Sequence, residues 1–66
     1  MIIADFTKPE LDHLRANCNF VGDEIYLFEA RSRGISLEQI AEDLNTSVTH
    51  AGRISQRVNK KIKRVQ

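Results

Sequence analysis

No acidic residue follows Thr46. All nine acids, from Asp5 to Asp43, precede it together with only Lys8, Arg15, Arg31 and Arg33. Arg53, Arg57, Lys60, Lys61, Lys63 and Arg64 follow it, so side-chain charges of −5 and +6 hide inside a formal net charge of +1. Cysteine is nearly absent as well. Cys18 stands alone, which excludes an intrachain disulfide and a cysteine-based zinc cluster. With no basic neighbour and no helix start to activate it, Cys18 reads as a small apolar residue of a reducing, cytoplasmic protein. One proline and three glycines are too few for a disordered chain. Tryptophan is missing, and Tyr26 and the three phenylalanines are scattered, which argues against a stacking platform for single strands.

No apolar run is long enough for a membrane span. Ile2 and Ile3 are followed at once by Asp5, which is not how a signal peptide begins. A chain of 66 residues makes one domain, spanning 1–66, with little room for a substrate cleft beside its core. No glycine-rich phosphate loop, Ser/His/Asp grouping or paired-carboxylate motif is present. An enzyme is therefore not expected, nor is a cofactor. His13 and His50 are far apart and share no carboxylate pattern, so both read as exposed polar residues and not as metal ligands. Asp12 and the Glu42–Asp43 pair read as salt-bridge partners.

What is present is helical throughout. Thr7, Pro9 and Glu10 form a helix start in which the Thr7 hydroxyl and the Glu10 carboxylate cap reciprocally. Leu11, Leu14 and Cys18 then recur on one face, and Asn17 to Asn19 end the first helix. Phe20 and Val21 are expected beneath the connection. Gly22-Asp23-Glu24 opens a second helix with acids in its first turn, Ile25, Leu27, Phe28 and Ala30 inward, and Arg31 and Arg33 at its end. Gly34 is a left-handed cap. Ser36 caps a third helix, with Gln39 at the capping-box position and Leu37, Ile40, Ala41 and Leu44 facing inward.

Asn45 suits a positive φ in the next turn, and Ser47 caps a fourth helix. Along that helix Ala51, Ile54, Val58, Ile62 and Val65 form an apolar stripe, while Arg53, Arg57, Lys60 and Arg64 repeat on another face. The expected fold class is an all-α, four-helix domain with a helix-turn-helix over about 36–65, formed by helices three and four.

The spacing from Leu37 to Ile54 carries the motif. With Leu37 first, Ile40 and Leu44 are fourth and eighth, Ala41 is the small fifth residue, Asn45 the ninth, and Ala51 and Ile54 the fifteenth and eighteenth. Together with Gly34-Ile35-Ser36 and Ser47, this pattern resembles the helix-turn-helix of bacterial and phage regulators, and more narrowly the LuxR-type domain and the fourth region of sigma factors. The resemblance spans about Gly22 to Val58. Two positions depart from it: Thr46 stands where an aliphatic residue usually plugs the turn, and Ala51 is smaller than the usual Val or Ile. A complete sigma factor is not expected from so short a sequence. A small stand-alone member, of the kind found in phage-like segments of bacterial genomes, is the nearest match.

The resemblance implies a recognition helix from Ser47, with Thr49, His50, Arg53, Gln56 and Arg57 meeting base edges. Threonine can touch a thymine methyl, arginine can bind guanine O6 and N7, and glutamine can bind adenine N6 and N7. Lys60, Lys61, Lys63 and Arg64 are expected on phosphates, with Ser36 and Ser47 adding contacts at helix starts. The function expected is sequence-specific binding of double-stranded DNA by a small transcriptional regulator or sigma-like accessory protein. The alternative is an interaction module that docks RNA polymerase or another regulator through its acidic front half. A membrane-surface or RNA-binding helix is a weaker reading, because the terminal helix has no aromatic anchor. A homodimer paired through Leu11, Leu14, Val58, Ile62 and Val65 is weighed against helix one folding back onto helix four within one chain.

Overall fold

The computed structural model describes residues 3–66, so Ile2 of the N-terminal reading lies outside it. Among the described residues there are four α-helices and no strand: α1 Lys8–Asn17, α2 Asp23–Ser32, α3 Leu37–Asp43 and α4 Val48–Val65, preceded by a 3-10 turn over Ile3–Asp5.

Local chemistry sets most of the boundaries. At the start of α1 the Thr7 amide donates to Glu10 Oε1 at 2.8 Å and the Glu10 amide donates to Thr7 Oγ1 at 3.4 Å, a complete capping box. The backbone bond from Thr7 comes first among the causes that hold the Glu10 carboxyl below its usual range. Asn19, Gly34 and Asn45 all take positive φ directly after helix C-caps, at 54°, 80° and 55°. The second and third of these turns are built alike. The Ile35 amide donates to the Ala30 carbonyl and the Gly34 amide to that of Arg31, while Thr46 and Asn45 donate to Ala41 and Glu42. Both are Schellman turns, which satisfy the last carbonyls of a helix and reverse the chain in few residues. Ser36 and Ser47 then accept from the Gln39 and His50 amides to begin α3 and α4. The Gln39 side chain does not complete a second capping box; it donates to Asp43 Oδ1 at 3.0 Å instead.

The core contains Ile3, Leu14, Cys18, Leu27, Phe28, Ala30, Ile40, Ile54, Val58 and Ile62, with Phe6, Leu11, Phe20, Leu37, Leu44 and Val65 half-buried against it. Phe20 stacks on Phe28 with ring centroids 4.7 Å apart. α4 is the central element: α1, α2 and α3 all pack on it. Ala41 of α3 and Ala51 of α4 are both buried, small residues on two helices that lie together.

Two inward assignments need correction, and one acid takes an inward place. Val21 is 57% exposed and Ile25 50% exposed, so neither belongs to the core. Glu24 is buried instead, at 7% exposure. Gly22 begins α2 with φ 55° and ψ −129° and no side-chain cap; Glu24 substitutes, accepting from the Val21 amide at 3.2 Å. Turning Glu24 inward carries Ile25, the next residue along, to the outside.

The apolar surface that motivated a dimer is largely covered within the chain. Leu14 of α1 and Cys18, its C-cap, are buried with Val58 and Ile62 of α4, and the Cys18 thiol donates to the Lys61 carbonyl at 3.6 Å. Helix α1 folds back onto α4. Burial raises the Cys18 thiol's pKa, in keeping with a packing role.

Candidate nucleic-acid interface

The candidate interface is the outer side of α4. Its inner side is set by Ala51, Ile54, Val58 and Ile62, all buried, and this stripe fixes which residues face solvent. At 3.6 residues per turn, Arg53, Arg57, Lys60 and Arg64 fall within a sector of roughly 60°, and Thr49 and Gln56 lie directly beside it. Thr49, His50, Arg53, Gln56 and Arg57 are all exposed, as are Lys60, Lys63 and Arg64. Among the described residues, Arg53, Arg57, Lys60, Lys63 and Arg64 take part in no ion pair.

The length of α4 divides these side chains into two groups. Eighteen residues make a rod of about 27 Å. The stretch from Thr49 to Arg57 occupies roughly 12 Å of it, and the bases from Lys60 onward lie beyond. A helix whose first turns enter a groove about 12 Å wide would carry its later residues out along the flanking phosphates.

Lys61 departs from its expected place. Its ammonium donates to Glu24 Oε1 at 2.5 Å and to the Asn19 carbonyl at 3.1 Å, and the side chain is half-buried. The Lys61 hydrogen bond is also the main reason the Glu24 carboxyl sits below its usual range. Lys61 therefore fastens α4 to the α1–α2 connection and does not stand on the exposed basic face. Ser36 and Ser47 use their oxygens as caps; each hydroxyl hydrogen can still donate outward.

Many acids of the front half are engaged inside the chain. Arg15 bridges Asp12 at 2.8 Å and Glu29 at 2.6 Å, and its guanidinium lies 5.8 Å from the centre of the Phe28 ring. Arg15 holds the Glu29 carboxyl down. Asp43 accepts from the Tyr26 hydroxyl at 2.6 Å and from Gln39, which lowers its pKa and raises that of Tyr26. Asp12 thus forms the expected ion pair, whereas Asp43 takes hydrogen bonds from neutral groups. His13 Nδ1 lies 3.2 Å from the Asn17 side-chain nitrogen, and among the described residues no group of three His, Cys, Asp or Glu is placed to hold a metal. No helix there is long and apolar enough to cross a membrane.

Two features of α4 were not anticipated. Val48, the first residue of the helix, is 46% exposed, and Gly52 follows one turn later. The run Ser47-Val48-Thr49 carries no periodic signal that would single Val48 out. Compared with known proteins, the chain matches no family model, no curated protein and no solved structure.

Proposed function

We propose that this protein binds double-stranded DNA in a sequence-specific manner, as a small transcriptional regulator or sigma-like accessory protein, with α3 and α4 acting as a helix-turn-helix. The observation that carries the reading is the acid-free outer side of α4, where Arg53, Arg57, Lys60, Lys63 and Arg64 stand exposed without ion-pair partners among the described residues. Unpaired cations in a row are suited to displacing the counterions condensed on a polyphosphate. Hydrogen-bonding side chains in the first turns are suited to base edges in the major groove.

In this reading Thr49, His50, Arg53, Gln56 and Arg57 read bases, Lys60, Lys63 and Arg64 hold phosphates, and Ser47 donates to a phosphate at the start of α4. Lys61 is withdrawn from the phosphate set because Glu24 and Asn19 occupy it. Docking of RNA polymerase through the acidic front half has less support: Asp12, Glu24, Glu29 and Asp43 already hold partners within the chain.

Selection of duplexes from a random pool, followed by titration at several salt concentrations, tests the proposal. Three to five phosphate contacts predict that log affinity falls against log salt with a slope of roughly −3 to −4.5. A slope near zero, or no enrichment of any sequence, would reject it.

A further inference from the structure

Val48 is an exposed β-branched residue at the first position of an 18-residue helix, and it is not among the side chains packed on the core. Gly52 lies one turn further along, beside it on the same side of α4, about 80–120° round the helix from the basic sector and nearer to α3. Glycine inside a helix is unfavourable compared with alanine, so its presence calls for a reason. The described residues supply none. A Cβ built at Gly52 would meet only Leu37 Cδ2, at an ordinary 4.0 Å, and its φ is not in the left-handed range. Among the described residues, no backbone or side chain needs the space that Gly52 leaves open.

We propose that Val48 is a specificity-determining residue that reads the C5-methyl group of a thymine, and that the missing side chain of Gly52 lets that base edge come close to α4. The inference rests on the proposed DNA-binding function and adds to it a purely apolar reader, where every other proposed reader, Thr49 included, carries a hydrogen-bonding group. Arginine, glutamine and histidine read hydrogen-bonding groups, and those do not report a methyl. An apolar branch at the leading end of the helix does. The methyl carries no charge, so the contact is insensitive to the counterion effects that govern the rest of the surface.

Deoxyuridine keeps every hydrogen-bonding group of thymidine and lacks only the methyl, so it isolates the contact. A duplex selected by the wild-type protein is resynthesised with each thymine replaced singly by uracil. At one position the wild type should lose about four-fold in affinity, the equivalent of one buried methyl. Val48→Ser should bind the thymine and uracil duplexes equally at that position, while Ile25→Ser, at an exposed aliphatic residue of α2 outside the proposed interface, should keep the discrimination. Gly52→Ala should raise the melting temperature by about 4–8 °C and weaken binding by several fold. That opposite movement of stability and affinity is one a purely structural glycine would not produce.

The inference is overturned if no thymine in the site is sensitive to loss of its methyl, if Val48→Ser retains the discrimination, or if Gly52→Ala binds as tightly as the wild type. In each case a steep salt slope on the same duplex leaves the DNA-binding reading standing. If no duplex is selected at all, both fall together.

Discussion

Lys61 and Glu24, 37 residues apart in sequence, meet at 2.5 Å on the inner flank of α4. Two turns of basic residues therefore contain one cation that serves the fold and several that face outward. Lys60 and Lys61 are neighbours in sequence, yet a helix points them about 100° apart.

Lys61→Ala should consequently cost about 1–3 kcal/mol of stability, since it strands a buried carboxylate, and leave the salt slope of DNA binding unchanged. Lys60→Ala should do the reverse, with little change in melting temperature and a slope shallower by roughly 0.9. Equal salt slopes for the two variants would mean that Lys61 swings out to the phosphates.

The same pair gives a pH dependence with a definite sign. The folded-state pKa of Glu24 is lowered, chiefly by the Lys61 hydrogen bond, so its stabilising contribution is present above the unfolded carboxyl pKa. That contribution is lost as pH falls through the lowered folded value. The melting temperature should therefore fall on acidification below about pH 4.3, the ordinary glutamate pKa. Glu24→Gln should start from a lower melting temperature at pH 7 and show a shallower decline. Parallel acid profiles for the two proteins would remove Glu24 from the account.

Base readers and phosphate holders should separate by sequence dependence. Arg53→Ala, at an exposed position early in α4, should cost about 1–3 kcal/mol on the preferred site and relax the preference at one base pair. Lys63→Ala should weaken binding to all sequences alike. A profile across a site library that is uniform for both would contradict the division.

Ala41 tests the contact between the two helices of the proposed motif. It is buried on α3, and its carbonyl accepts the Thr46 amide that shapes the turn. Ala41→Leu should overpack this region and cost on the order of 1–3 kcal/mol, a large fraction of a small domain's stability. Thermal denaturation unchanged by the substitution would mean that α3 and α4 have space between them.

The helix starts and turns were legible because their causes are local. Thr7, Ser36 and Ser47 cap within three residues of themselves, and Gly34 and Asn45 adopt positive φ for reasons internal to the residue. The apolar stripe of α4 was legible for the same reason. Val21, Ile25 and Glu24 were not, because hydropathy assigns the two aliphatic residues inward and the acid outward. The inward turn of Glu24 depends on Lys61, which no local pattern connects to it. Gln39 illustrates a nearer competition: a capping box would turn its side chain back to the Ser36 amide, and Asp43 takes it instead. As for the candidate interface, the exposed side of α4 followed from its stripe, while the withdrawal of Lys61 and the exposure of Val48 required the fold.

The folding back of α1 also ranks the parts of the molecule by how readily they open. α2, α3 and α4 are joined by short turns, whereas the Cys18 contact with Lys61 closes a loop of 43 residues, and closing a longer loop costs more chain entropy. α1 should be the last helix to dock during folding and the first to detach in native-state fluctuations. Its amides should exchange with deuterium faster than those of Ile54, Val58 and Ile62. Each detachment would uncover the end of α4 that carries Lys60 to Arg64, so the arm proposed to hold phosphates is steadied by the opposite end of the sequence.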